Sequence, residues 1–147
     1  MIITMLKFSI SKDSALKQND ESEFLSQMTS LLEVGSEYIG IINKKGRLEE
    51  VFYKQNDMNM TEEKKEMFFM TLQLHDSLQS DFDNELGQVN YITIERQNSR
   101  FVSITTSEGI ILVKLNKSAD PFFIINKITG ILDSHKRFLE TSSGVYQ

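Results

Sequence analysis

The sequence predicts an α+β domain in which one five-stranded antiparallel sheet is flanked by helices. Three stretches of the chain support this fold class. Residues 38–53 contain two short apolar runs separated by a Lys-Lys-Gly turn, residues 89–115 contain three more such runs, and residues 59–87 form a long periodic segment between them. Short links make the strands of each group antiparallel, and one sheet with helices on its faces buries every apolar stripe.

Length and composition indicate one domain that is stable without disulfides or metals. A chain of 147 residues can bury a sufficient core without disulfides or metals. We divide it into an N-terminal extension, residues 1–19, a single domain, residues 20–141, and a polar tail, residues 142–147. The chain has no cysteine, which excludes thiol catalysis, disulfides and cysteine-ligated metal sites.

Charge and hydropathy narrow the classes of partner. The formal net charge of −5 opposes a general attraction to nucleic acid, which requires clustered Lys and Arg. The start of the chain lacks the charged region and cleavage site of a signal peptide, and we find no segment typical of a membrane span. We therefore expect a cytoplasmic protein.

The front half begins with a strand-like segment and a short helix. Residues 1–11 alternate imperfectly between apolar and polar side chains, and residues 12–20 are a polar linker. A helix then begins at Asp20, which can cap it, and ends at Gly35. Residues 38–43 and 47–53 follow as the two strands of a hairpin.

The segment 59–87 predicts the longest helix, capped by Asn59 and stopped by Gly87. At about 100° per residue, seven of its apolar side chains share one broad side. We expect the following side chains to face the sheet: Met67, Phe68, Met70, Leu74, Leu78, Phe82 and Leu86.

Two apolar residues of this helix, Phe69 and Leu72, fall outside that stripe, on the side that carries Asp76. Either a second surface covers them or they are exposed. Because the other side of this helix is expected to pack on the sheet, two neighbouring apolar side chains on this side indicate a partner. We predict this side as a partner-binding face.

The back half reads as a three-stranded meander followed by a helix. Strands are predicted at residues 89–97, 100–106 and 110–115, and the last is apolar throughout, so we place it at the centre of the sheet. Asp120 and Pro121 then supply a cap and a first helical residue, and the apolar stripe of this helix runs from Ile124 to Leu139.

Several short stretches carry a family resemblance. They are residues 40–43, Gly-Ile-Ile-Asn, residues 46–48, Gly-Arg-Leu, Ser77, residues 81–83, Asp-Phe-Asp, and residues 86–89, Leu-Gly-Gln-Val. These resemble a family of small proteins of unknown function from ammonia-oxidising archaea, over roughly residues 25–139. The order of elements is similar to the roadblock or profilin-like layout.

The resemblance implies a surface and a kind of partner. Roadblock-like proteins commonly dimerise through the long helix and a neighbouring edge strand, and often serve as platforms for small GTPases or their regulators. Carried onto this chain, that surface comprises Phe69, Leu72, Asp76 and, on the strand 89–97, Tyr91. The N-terminal extension is available to cover that edge strand instead.

Candidate catalytic and metal sites are weak. His75, Asp76 and Ser77 are consecutive on a helix, so their side chains diverge and cannot form a triad. The acidic run at residues 81–85 lacks the glycine of a calcium loop, because Leu86 occupies that position. No nucleotide-binding, hydrolase or metalloprotease motif occurs. We predict no enzyme activity, no metal and no cofactor.

A basic turn is the remaining candidate. Lys44, Lys45 and Arg47 cluster in the hairpin turn and are available to contact a phosphate or an acidic partner. We predict a non-enzymatic, homodimeric protein-interaction module that binds itself, another protein, or a small GTPase or its regulator. The alternative is a small-ligand sensor with a pocket between sheet and helix.

Overall fold

A computed structural model describes residues 4–7, 15–55 and 58–135. The helices are α1 Ala15–Ser30, α2 Glu62–Ser80, α3 Asp83–Leu86 and α4 Pro121–Ser134. The strands are β1 Thr4–Lys7, β2 Ser36–Asn43, β3 Leu48–Tyr53, β4 Tyr91–Glu95, β5 Arg100–Thr106 and β6 Gly109–Leu115. All strand pairs are antiparallel, in the spatial order β1-β3-β2-β6-β5-β4.

The predicted fold class is confirmed. The hairpin β2–β3 and the meander β4–β5–β6 contain the five predicted strands, and β6 lies centrally between β2 and β5. A sixth strand, β1, pairs with β3, with Thr4 opposite Tyr53. This part of the N-terminal extension therefore lies at the edge opposite β4 and does not cover β4.

Helices cover both faces of the sheet. On one face, α1 and α4 pack on sheet side chains such as Ile39 and Val113 through Phe24, Ile124 and Ile128. On the other face, α2 is the one described helix that packs on a second cluster around Tyr38, Ile110 and Leu112. The inner strands therefore contribute apolar side chains to two cores, which explains why β6 is apolar throughout.

Two predicted helix starts were wrong. Helix α1 begins at Ala15, so Asp20 lies inside the helix instead of capping it. Helix α2 is capped by Thr61, whose Oγ1 accepts a hydrogen bond from the Lys64 amide at 3.2 Å, whereas Asn59 has a left-handed φ of 52°. By contrast, Asp120 caps α4 as predicted, accepting from the Phe122 amide at 3.0 Å. Residues 136–147, including Leu139 and the predicted tail, lie outside the described part of the chain.

The predicted orientation of α2 was also wrong. Phe69 and Leu72 are buried against the sheet, with only 3 % and 6 % of their surfaces exposed. Of the seven residues expected to face the sheet, only Phe68 packs against the cluster under α2. The other six are 54–81 % exposed: Met67, Met70, Leu74, Leu78, Phe82 and Leu86. We call these six residues the outer stripe.

Polar residues beside Phe69 explain why α2 buries the side opposite to the one predicted. The sheet-facing side of α2 includes Lys65, Gln73 and Asp76, so it is less apolar than the outer stripe. Two of these side chains find polar partners. The carboxylate of Asp76 accepts a hydrogen bond from Thr105 Oγ1 at 2.6 Å, and Lys65 pairs with Glu62 at 2.9 Å. Because buried polar groups are tolerated when they are bonded, the less apolar side can face the core.

Candidate functional site

The outer stripe is an apolar surface on the side of α2 that faces away from the sheet. Its residues Met67, Met70, Leu74 and Leu78 are spaced three or four apart, so they align along one side of the helix over about 17 Å. Helix α2 ends at Ser80, and the other two residues of the outer stripe, Phe82 and Leu86, lie after it in the chain, before β4. Contiguous exposed apolar side chains of this kind are typical of a binding surface.

Strand β4 is an edge strand next to this helix. It pairs with β5 from Tyr91 opposite Ile104 to Glu95 opposite Arg100, and among the described strands it has no other neighbour. Residues 87–90 alone separate it from α3. Its free backbone groups are available to another strand.

The four residues predicted as a partner-binding face do not form one exposed surface. Phe69 and Leu72 are buried, and Asp76 is half-buried and bonded to Thr105. Tyr91 is exposed, but it lies opposite Ile104, which belongs to the core under α1 and α4, and its ring meets that of Phe122 edge-on at 6.4 Å. Of these four residues only Tyr91 is exposed, and partner binding through it stays a prediction.

The basic turn between β2 and β3 has the predicted exposure. The side chain of Asn43 organises it, because its Oδ1 accepts hydrogen bonds from the amides of Lys45 at 2.9 Å and Arg47 at 3.1 Å. Lys44, Lys45 and Arg47 are all exposed. Anion contact at this turn stays a prediction.

A groove of about 750 Å³ opens at one end of the sheet. It lies between α2, the link before β4, the end of β5 and α4, and we call it the end groove. Its lining is about equally polar and apolar. The charged residues Lys44, Asp76, Asp83 and Asp133 and the amide of Gln73 lie beside apolar side chains of β5 and α4. A smaller cavity of about 300 Å³ lies at the start of α2, lined by Met58, Met60, Phe68, Arg96, Ser99, Phe101 and Lys114.

A charge cluster joins β4 to β5. The side chain of Arg100 donates to Glu95 at 2.5 Å, and the Lys117 ammonium contacts the other oxygen of that carboxylate. The hydrogen bonds from Arg100 and then Lys117 hold the pKa of the Glu95 carboxyl at about 2, well below its usual 4.5. The same bond raises the pKa of the Arg100 guanidinium.

The histidines do not form a site. His75 is exposed on α2, while His135 is buried, with Nε2 2.7 Å from Gln27 Oε1 and its ring edge-on to Phe24. Within residues 4–7, 15–55 and 58–135, no three His, Asp or Glu side chains are placed to hold a metal ion. No helix in those ranges is long and apolar enough to cross a membrane.

Comparison with known proteins identifies the fold. No protein-family model and no curated protein matches this sequence. Among solved structures, a Roadblock/LC7 domain from Streptomyces avermitilis superposes with a TM-score of 0.60 at 13 % identity, covering 78 % of this chain and 96 % of that one.

Two structures of MglB are also similar. MglB from Myxococcus xanthus has a TM-score of 0.63 at 9 % identity, covering 82 % of this chain and 97 % of that one. An MglB with a tetrameric arrangement has a TM-score of 0.62 at 8 % identity, covering 92 % and 99 %. The chain therefore has the roadblock/LC7 fold. The resemblance to small archaeal proteins stays a prediction.

Proposed function

We propose that this chain is a non-enzymatic regulatory module that forms a homodimer through the outer stripe of α2 and the edge of β4, and that the dimer binds another protein. The exposure of the stripe carries the proposal. Four apolar side chains, each more than half exposed, occupy the outer side of the helix that closes one face of the sheet, and the equally exposed Phe82 and Leu86 follow that helix in the chain.

Burial of the stripe would be favourable. Fully burying a side chain such as Leu, Met or Phe contributes about 1.5–3 kcal/mol. Six half-exposed side chains would together contribute several kcal/mol, before the entropy lost on association is subtracted. Burial of the stripe therefore favours association of two chains.

A second copy fits this surface because the stripe is self-complementary. A two-fold interface places the same patch of both chains in contact, and an apolar helix side can pack against itself without unpaired charges. The free edge of β4 can pair in the same arrangement with β4 of the partner, which would satisfy its backbone groups.

The partner class follows from the fold resemblance. Roadblock-like proteins often serve small GTPases or their regulators, and the similar structures include an MglB with a tetrameric arrangement. We therefore propose a small GTPase or its regulator as the protein partner, in the cytoplasm. The test is the capture of partner proteins on the immobilised chain, once with GDP and once with a GTP analogue. A small GTPase partner should be retained in amounts that differ between the two nucleotides.

The self-association test uses charge on the stripe. Wild-type protein at tens of micromolar should sediment at twice the monomer mass, and Leu74→Glu should sediment as a monomer with an unchanged circular dichroism spectrum. The control is Phe123→Glu, which alters an exposed apolar residue on α4 and should leave the dimer intact. A monomeric wild type, or a Leu74→Glu protein that stays dimeric, would refute the proposal.

A further inference from the structure

The smaller cavity, at the start of α2, is mainly apolar. Four of its seven lining residues are apolar: Met58, Met60, Phe68 and Phe101. Phe101 belongs to the core under α2, and the ring of Phe68 meets it edge-on with 5.3 Å between the centroids. Methionine side chains adapt their shape and make favourable contacts with aromatic rings. The cavity therefore suits an apolar group, and an aromatic one in particular.

The rest of the lining carries positive charge. It consists of Arg96, Lys114 and the neutral Ser99, and among the described residues no acid takes part in it. The exposed side chain of Arg96 makes no ion pair with a described carboxylate. The Lys114 ammonium lies 3.5 Å from the Glu37 carboxylate, which is longer than the about 2.7–2.9 Å of a charge-assisted hydrogen bond. Both cations are therefore available to an anion from outside the chain.

Lys114 occupies an unusual position for a lysine. Strand β6 is central in the sheet, and Lys114 lies opposite Phe101 on one neighbouring strand and Tyr38 on the other. Alternate residues of a strand share one face, and the other residues of β6 on this face, Ile110 and Leu112, belong to the core under α2. An apolar residue would extend that core, whereas the lysine places a positive charge at its border, beside the cavity.

We propose that the smaller cavity binds a small apolar carboxylate with an aromatic or short aliphatic body. The body packs among the four apolar side chains, and the carboxylate accepts hydrogen bonds from Arg96 and Lys114. A planar guanidinium can donate two parallel bonds to a carboxylate, and an ammonium group adds a further donor. A mostly apolar lining with a few polar groups is typical of small-molecule sites, and about 300 Å³ is at the lower end of their range of about 300–1,000 Å³.

The cavity is separate from the outer stripe, and methionines mark both places. Met58 and Met60 line the cavity, whereas Met67 and Met70 belong to the stripe and are not in the lining. The chain has seven methionines in all, so their methyl signals in a nuclear magnetic resonance spectrum are few. These signals therefore distinguish a ligand in the cavity from one on the stripe.

The test is titration of the protein, isotope-labelled at its methionine methyl groups, with phenylacetate at fixed low ionic strength. The signals of Met58 and Met60 should shift, and those of Met67 and Met70 should not. The uncharged 2-phenylethanol should bind at least about tenfold more weakly, because it cannot accept the charge-assisted hydrogen bonds. Inorganic phosphate has no apolar body and should not shift the signals of Met58 and Met60 at the same concentrations.

Variants of the two cations complete the test. Arg96→Gln should weaken the binding of phenylacetate about tenfold, as expected for loss of a charge-assisted hydrogen bond, and Lys114→Gln should act in the same direction. The matched control is Arg47→Gln, which removes the same charge from an exposed arginine outside the lining and should change the affinity less than about twofold. The assignment would be overturned if millimolar phenylacetate left the Met58 and Met60 signals unshifted, if 2-phenylethanol or phosphate acted equally, or if Arg47→Gln weakened binding as much as Arg96→Gln.

Discussion

The side chain of Phe69 anchors α2 to the sheet. Its ring belongs to the core that α2 closes, together with Leu72 and with sheet residues such as Phe101. Leu74, two residues after Leu72, is on the outer stripe and mostly exposed. Substitutions at these positions should therefore have opposite consequences for folding and for association.

Replacing Phe69 should test the assignment of the two sides. Phe69→Ala should lower the free energy of unfolding by about 3–5 kcal/mol, because a buried aromatic side chain leaves a cavity. Leu74→Ala should change it by no more than about 0.5 kcal/mol. Urea unfolding at concentrations at which the chain is monomeric measures both, and the reverse ranking would show that the outer stripe faces the core.

Glu95 should titrate far below an ordinary glutamate. Its pKa in the folded chain is about 2, against 4.5 as the usual value, because Arg100 and Lys117 bond its charged form. A carboxyl with a depressed folded-state pKa stabilises the fold above pH 4.5, and this contribution is lost as the pH falls towards 2.

Nuclear magnetic resonance titration of the Glu95 side chain measures this directly. Arg100→Gln removes the main donor and should raise the pKa of Glu95 towards 4.5, and high salt should do so partly, since the group is exposed. A wild-type pKa near 4.5 would mean that these ion pairs are not formed in solution.

The turn between β2 and β3 helps to position the outer stripe. Gly46 in the β2–β3 turn has φ of 80°, and a Cβ there would lie 2.9 Å from Met70 Cα, so this turn packs directly against the middle of α2. The turn therefore helps to fix the helix that carries the outer stripe.

A pair of glycine substitutions tests this contact. Gly46→Ala should destabilise the fold by at least about 1–2 kcal/mol, because alanine strains a left-handed backbone. The close approach of the new Cβ to Met70 Cα on α2 should add to this loss. Gly130→Ala, in α4 with open space around its Cβ, should stabilise it by up to about 1 kcal/mol. Thermal unfolding of both variants should show shifts of opposite sign, and equal shifts would contradict the packing of the turn on α2.

The elements could largely be predicted from sequence, and so could the buried side of α4, but the side that α2 buries could not. Turn residues and periodicity located β2 to β6, α2 and α4 because these signals are local. An apolar stripe at Met67, Leu74 and Leu78 looks the same whether it packs on a sheet or on another chain, so periodicity alone cannot assign the side. The strand β1 lies within the strand-like segment 1–11, but its pairing with the distant β3 could not be predicted from that local pattern.

The whole molecule is a roadblock/LC7 fold with two distinct surfaces on one helix. The outer stripe faces solvent, and the sheet-facing side reaches both the core and the end groove. The order of elements made the fold predictable. The groove was not predictable, because its lining comes from α2, the link before β4, the end of β5 and α4, which only the placement of these elements on the sheet brings to one region.

Site-directed cross-linking tests most directly that copies meet through the outer stripe. The chain has no cysteine, so Met67→Cys, Met70→Cys, Leu74→Cys and Leu78→Cys each introduce a single thiol. In a two-fold interface the residue nearest the axis faces its own copy, and a disulfide forms when the Cα atoms are about 4.4–6.8 Å apart. We expect at least one of these variants to form a covalent dimer under mild oxidation, while Val34→Cys, exposed away from α2, does not. Cross-linking no greater on the stripe than at Val34 would contradict the proposed interface.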